Sequence, residues 1–212
     1  MKLARALVCL VACCASTVSL AQGSPKVEDK KGASYKEIER GLFFEARGGF
    51  NGIINPPALT GSAQYFSSGQ AIGIDLGFDI GERVSPAIFF LAAANRMGID
   101  YTGYSTTGAA SGDFSAMTPG AAVKVRLVGF DDSQDVKRTW IYIRGGAGVT
   151  FYSPKQLLPN IDVLIVAGPG LEYYTRLRHF VIGVEANFAF AALTQTIGFQ
   201  GLLTFKYAFP FQ

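Results

Sequence analysis

The stretch QAIGIDLGFDIG, residues 70–81, decides the fold. Ile72, Ile74, Leu76, Phe78 and Ile80 alternate without a break with Ala71, Gly73, Asp75, Gly77, Asp79 and Gly81. A period of two sends successive side chains to opposite faces of an extended strand, whereas a helix would scatter both sets around its axis. One face of this strand is therefore wholly apolar, and the other carries two carboxylates among small residues.

Outward from residues 70–81 the same period recurs, giving eight candidate strands in all. Residues 41–51 set Leu42, Phe44, Ala46 and Phe50 against Glu45 and Arg47. Residues 85–101 are apolar on both faces and yield no face assignment. Residues 114–130 oppose Ala121, Val123, Val125 and Leu127 to Lys124 and Arg126, and residues 139–152 oppose Ile141, Ile143, Ala147, Val149 and Phe151 to Tyr142, Arg144 and Thr150. Residues 161–174 are interrupted by Gly168, Pro169 and Gly170, which predicts a bulge or kink there. Residues 180–192 place Phe180, Ile182, Val184, Phe188 and Phe190 opposite Glu185 and Asn187. Residues 197–209 place Phe199, Leu203, Phe205, Tyr207 and Phe209 opposite Gln200, Thr204 and Lys206.

The connections alternate in length. Residues 51–69 and 98–112 are long and rich in Ser, Thr, Gly and Asn, while 81–85 and 175–179 are short. Residues 131–138 and 152–161 are intermediate, and only the brief 193–196 breaks the pattern of long loops at one end and short turns at the other. An even strand number with that alternation is the habit of bacterial outer-membrane barrels.

The polar faces together carry Glu45, Asp75, Asp79, Glu172 and Glu185 with Arg47, Lys124, Arg126, Arg144 and Lys206, five acids against five bases. In a membrane barrel these groups point into the lumen and the apolar face meets lipid; a soluble lipocalin-like barrel needs the reverse. Alternation alone does not choose. The terminal run Leu203, Phe205, Tyr207, Phe209 does, because it resembles the alternating aromatic last strand that outer-membrane assembly machinery recognises. Aromatic crowding near strand ends points the same way. The expected fold is all-β: a small antiparallel transmembrane β-barrel over residues 41–212, preceded by a cleaved signal and a short polar tail.

The signal is residues 1–21. Lys2 and Arg5 form a basic n-region, residues 6–18 are apolar, and Ser19 and Ala21 stand at −3 and −1 of a cut before Gln22. The apolar run is too short for the roughly 20 residues of a membrane-spanning helix. A lipoprotein signal is the alternative, since Leu10-Val11-Ala12-Cys13 fits a lipobox. All three cysteines, Cys9, Cys13 and Cys14, lie within this leader, so cleavage after Ala21 leaves no thiol for a disulfide or metal site. Residues 22–40 are polar, charged and without apolar period, which predicts a flexible periplasmic tail.

Composition bounds the rest. A chain of 212 residues suits one domain, and 49% hydrophobic against 17% charged residues permits a large apolar surface. Glycine at 25 residues with 13% aromatics suits walls and turns more than a helical bundle. Loss of Lys2 and Arg5 with the leader takes the formal charge from +3 to +1, and no basic stripe marks a nucleic-acid partner.

Chemistry is sparse. The single histidine, His179, excludes a two-histidine metal motif. Small outer-membrane lipid-modifying enzymes use a His and a Ser near the outer rim, but His179 falls in a short turn beside Arg176 and Arg178, at the other end. Gly146 and Gly148 begin a dinucleotide-like pattern, but Phe151 occupies its third glycine position and the context is a strand. Asp131, Asp132 and Asp135 lack the spaced ligands and bidentate Glu of a calcium loop. The residues point to a non-enzyme with no cofactor, no metal and no nucleic-acid partner.

Four runs carry a resemblance. ERGLFFEARGGF (39–50), FSSGQAIGIDLGFDIGERVSPAIFFLAAANR (66–96), VKVRLVGFDDSQDVKRTWIYIRGGAGV (123–149) and YYTRLRHFVIGVEANF (173–188) resemble the CglE family of myxobacterial outer-membrane proteins of adventurous gliding motility. The resemblance extends over nearly all of the chain after the leader. It departs in loop content, at residues 55–67 and 104–111, so loop contacts do not transfer. It implies a structural, assembly or adhesion-site element of the gliding machinery, with outer-membrane lipids and other gliding-machinery envelope proteins as partners and no catalytic residues to carry over. Tyr65, Phe66, Tyr101 and Tyr104 are the candidate loop contacts. A generic small outer-membrane barrel, for membrane stability or for ligand binding at the loop end, fits the alternation equally well.

Overall fold

The computed structural model describes residues 38–54, 66–97, 113–154 and 161–209. Eight strands run in chain order: β1 (Leu42–Ile54), β2 (Phe66–Phe78), β3 (Val84–Arg96), β4 (Phe114–Asp131), β5 (Lys137–Ser153), β6 (Ile161–Tyr174), β7 (Phe180–Ala191) and β8 (Thr196–Ala208). Each pairs antiparallel with its sequence neighbour, and β1 pairs with β8, which closes the barrel. Closure leaves no unpaired strand edge, which is what lets strands cross a bilayer. No helix of the described residues is long and apolar enough to do so.

Alternation becomes inside and outside. Ile72, Ile74, Leu76, Phe78 and Ile80 are about half exposed, while Ala71, Asp75 and Asp79 are buried. The exposed face is apolar around the whole barrel, from Leu42 and Phe50 on β1 to Leu203 and Phe205 on β8. A soluble barrel with such an exterior would aggregate, so the wall faces lipid.

Both ends of the barrel are tied differently. Three short connections, residues 79–83, 132–136 and 175–179, lie at the end that carries the start of β1 and the finish of β8, here the turn end. The opposite, loop end receives residues 55–65, 98–112 and 155–160, which lie outside the described residues, and the short residues 192–195.

Several sequence expectations shift. The walls reach further than expected between β1 and β2: β1 runs to Ile54 and β2 begins at Phe66, pairing Ile54 with Phe66 inside the expected 51–69 loop. β3 ends at Arg96, short of Tyr101. Its ambiguous faces resolve with Phe89, Leu91, Ala93 and Asn95 inward and Ile88 and Phe90 outward. No bulge interrupts β6: Arg144, Ile143 and Tyr142 of β5 face Gly168, Pro169 and Gly170 in unbroken register. On the β7 side pairing lapses between Ala167 and Gly170 and resumes in the same register, because Pro169 has no N–H to give. Gly170 is needed for room, since a Cβ there would strike the Tyr142 ring. Register shifts lie instead in the β4–β5 ladder: pairing skips Leu127 between Arg126 and Val128, so that Leu127 and Val128 both face out, and it slips again between Phe130 and Asp131.

Where the sequence predicts a tail up to Arg40, its last residues are anchored. Ile38 packs on Trp140, Tyr174 and Val181, and the Glu39 carboxylate meets Arg178 at 2.8 Å. Arg40 donates to the Gly81 carbonyl at 3.3 Å and lies over the Tyr174 ring. Residues 22–37 lie outside the described residues.

Candidate functional site

The lumen is the site, and its two halves differ in chemistry. All ten charges proposed from parity lie inside it, each no more than 5% exposed. They gather in the half nearer the turn end and form two neutral assemblies. Arg47, Asp75, Arg144 and Glu185 close a ring: Arg47–Asp75 at 2.7 Å, Asp75–Arg144 at 2.8 Å, and each arginine to Glu185 at 3.5 Å. Lys206, Asp79, Arg126, Glu172, Lys124 and Glu45 make a chain. Within it Lys206–Asp79 is 2.7 Å and Lys124–Glu45 is 2.9 Å. Ser85 donates to Asp79 at 2.6 Å and the Tyr142 hydroxyl to Glu185 at 3.1 Å, so neighbouring polar groups fill remaining lone pairs.

Two cross-strand pairs alone would repel, although Lys206 stands opposite Glu45 on the β8 side. Glu45 sits opposite Asp75, and Lys124 opposite Arg144, like charges directly facing in the ladder. Compensation comes across the lumen: the acids of β1 and β2 reach the bases of β4 and β5. Such pairs pin walls that share no hydrogen bonds. Aromatic rings line the same region, with the Arg47 and Arg144 guanidinium carbons 5.6 Å and 5.2 Å from the Phe89 centroid and Lys206 4.0 Å from that of Phe43. The void among Phe43, Glu45, Asp75 and Lys124 is only about 10 Å³. This half is a plug.

Toward the loop end this ion network stops. Gln200 donates to Asn51 at 3.2 Å and Asn51 to Asn95 at 2.9 Å, a row of carboxamides running from β8 through β1 to β3. Beyond it come Thr118 and Thr150, hydroxyls 2.8 Å apart, and an apolar cluster that includes Leu91, Ala93, Ala116 and Tyr152. A cavity of about 40 Å³ opens among these residues. Parity left this apolar half unread, because β3 gives no polar row to orient it.

Two buried charges also escaped sequence reading. Asp162, in phase with Glu172 on β6, is fully buried at the loop end. It accepts from the Val163, Leu193 and Thr194 amides and the Thr194 hydroxyl, which fixes the β7–β8 connection. Arg138, in phase with Arg144, meets Asp132 at 2.8 Å and donates to the Thr175 carbonyl at 3.0 Å, joining two turns.

Of the expected loop contacts, Tyr65, Tyr101 and Tyr104 lie outside the described residues. Phe66 is corrected from loop to wall: it opens β2, is 56% exposed and stacks on Phe199 with centroids 6.1 Å apart. His179 sits at the turn end, its Nδ1 3.1 Å from the Ala208 carbonyl and its ring 5.5 Å from that of Tyr207.

No protein-family model matches the chain, and no curated protein matches it. Solved structures do. Neisserial surface protein A (NspA) superposes with a TM-score of 0.53 at 12% identity, covering 82% of this chain and 100% of its own. The outer membrane protein OprG from Pseudomonas aeruginosa gives 0.48 at 12% identity, over 82% of this chain and 99% of its own. The attachment invasion locus protein Ail of Yersinia pestis gives 0.42 at 14% identity, over 79% and 98%. Identities this low speak for fold and not for activity. The chain thus has the fold of the small outer-membrane barrels, eight antiparallel strands closed on a filled lumen.

Proposed function

We propose that this barrel is a non-catalytic component of the adventurous gliding machinery, acting in the outer membrane as a structural, assembly or adhesion-site element. The observation that carries the structural part is the neutral ion network filling the turn-end half of the lumen. A barrel pinned wall to wall in this way is a rigid anchor and a poor conduit. The motility part rests on the resemblance of residues 39–50, 66–96, 123–149 and 173–188 to the CglE family. In this reading the leader directs export, the turn end faces the periplasm, and the loop end faces outward. Envelope proteins of the machinery would meet the tail and the 132–136 turn, and surface contacts would fall to residues 55–65 and 98–112.

Deletion of the gene, with the intact chain restored in trans, tests the reading by tracking isolated cells on firm agar. Loss of single-cell gliding, regained on complementation with the barrel in the outer membrane, is expected. Normal gliding in the deletion strain would remove the motility role. A second reading, a generic barrel that takes a ligand at the loop end, is favoured by one feature, the uncharged cavity in that half of the lumen.

A further inference from the structure

The loop-end half of the lumen has the features of a binding cup. Its floor is the carboxamide pair Asn51 and Gln200, and its walls include Leu91, Ala189 and Ala191. Small side chains hold it open, since Ala189 and Ala191 stand where neighbouring inward positions elsewhere carry Glu185 or Asn187. Thr196 lines the cavity, is 6% exposed, and its hydroxyl makes no hydrogen bond. Outside the lining, the Asn187 side-chain oxygen and the Asn95 side-chain nitrogen are likewise buried without partners. Asn187, Gln200 and Asn51 are successive partners in the β7–β8–β1 ladder.

We propose that this cup binds a small uncharged molecule, or the end of a longer one, that presents one carbon beside one hydroxyl or carbonyl oxygen. The volume of about 40 Å³ sets the size. An apolar cavity of about 150 Å³ takes benzene, with its six heavy atoms, so this one takes about two. Charge is disfavoured by the lining: among the described residues no charged side chain lines the cup, and Asp162 is already satisfied by the β7–β8 connection. The Thr196 hydroxyl supplies the one polar contact the apolar walls lack. The ion network closes the cup from below, so the ligand enters and leaves from the loop end and does not pass through. This site is independent of the motility reading: either can fail alone.

Methyl NMR of the protein purified from membranes, in deuterated detergent with labelled Ala, Leu, Ile and Thr methyls, tests it with methanol as the probe. Saturable shifts and probe NOEs at Ala189, Ala191 and Leu91 are expected, with a Kd no tighter than about 10 mM for so few atoms. The near-isosteric Thr196→Val should weaken binding by about threefold to tenfold, the worth of one hydrogen bond. Ala191→Leu should abolish saturation by filling the cup. Should Ala191→Leu fail to fold, Thr196→Val still decides the polar contact. Shifts that rise linearly and only at lipid-facing methyls such as Ile88 and Leu203 would overturn the site. So would lumen methyls that show NOEs to water alone, or a Thr196→Val protein that binds as tightly as the parent.

Discussion

At the scale of single residues, the lumen is governed by the rule that a buried charge is tolerable when paired and costly when orphaned. Lys124 holds both Glu45 and Glu172, at 2.9 Å and 3.5 Å. Lys124→Met keeps the volume, orphans Glu45 and leaves Glu172 with Arg126. We expect a loss of about 3–5 kcal/mol, read as a lower urea midpoint for unfolding from lipid vesicles. Lys124→Met combined with Glu45→Gln should recover part of it, because fewer orphaned charges remain; an unchanged midpoint for Lys124→Met alone would sink the pairing argument. Steric fit is the second residue-scale constraint. Gly170→Val pushes on the Tyr142 ring, whose hydroxyl reaches Glu185 at 3.1 Å, and overpacking of this kind costs about 1–3 kcal/mol in the same assay. Which residues share a face was legible from parity on strands with one polar face, because a period of two has only two phases, and the aromatic last strand indicated which face turns inward. Which base meets which acid was not, because the decisive pairs cross the lumen between strands that are not neighbours in the sheet.

Among the elements, the strands were readable wherever one face was polar, and failed to orient where it was not. β3 has Phe89, Leu91 and Ala93 inside and Ile88 and Phe90 outside, apolar in both phases, so only its place beside the uncharged cup assigns its faces. In β6 the Gly-Pro-Gly signal indicated a bulge or kink, but the register runs unbroken on both sides: pairing with β7 only lapses there, and the room that Gly170 leaves is used by Tyr142. The β4–β5 turn offers a pH test outside the membrane wall. The Asp132 carboxylate accepts from the Gln134 amide at 2.8 Å, the Val136 amide at 3.3 Å and Arg138 at 2.8 Å. The Gln134 amide is the leading cause that holds it below the ordinary carboxylate range, with Val136 and Arg138 adding to it. A carboxylate with a lowered folded-state pKa stabilises the turn fully above its unfolded value, about 4, and that contribution disappears as pH falls through the lower folded value. Amide exchange at Gln134 and Val136 should therefore quicken, relative to strand amides, only below about pH 4. Asp132→Ala, which removes the acceptor, should show fast exchange at neutral pH and little further change on acidification; equal pH profiles for the two proteins would refute the cap.

For the whole molecule, the question is whether closure of the barrel also means closure of the lumen. An eight-stranded barrel has an interior about wide enough for side chains. Here that interior is occupied by ten charged residues that cancel in sign, with a void of about 10 Å³ among Glu45, Asp75 and Lys124. The cup at the loop end adds about 40 Å³ but ends on the carboxamides above the network. A permeating ion would have to displace paired charges from both walls at once, and Ile38 to Arg40 lie packed at the turn end as well. We therefore expect the protein, reconstituted into planar bilayers, to show no unit conductance steps at neutral pH in molar salt. High salt screens exposed charges strongly but buried pairs far less, so raising it should not open the barrel. Arg47→Ala with Arg144→Ala removes both bases of the four-membered ring and leaves Asp75 and Glu185 facing a widened gap. That variant should either lose stability or pass cations in preference to anions. Steps of uniform size in the parent protein would show that the plug yields, and would turn the reading from anchor to channel.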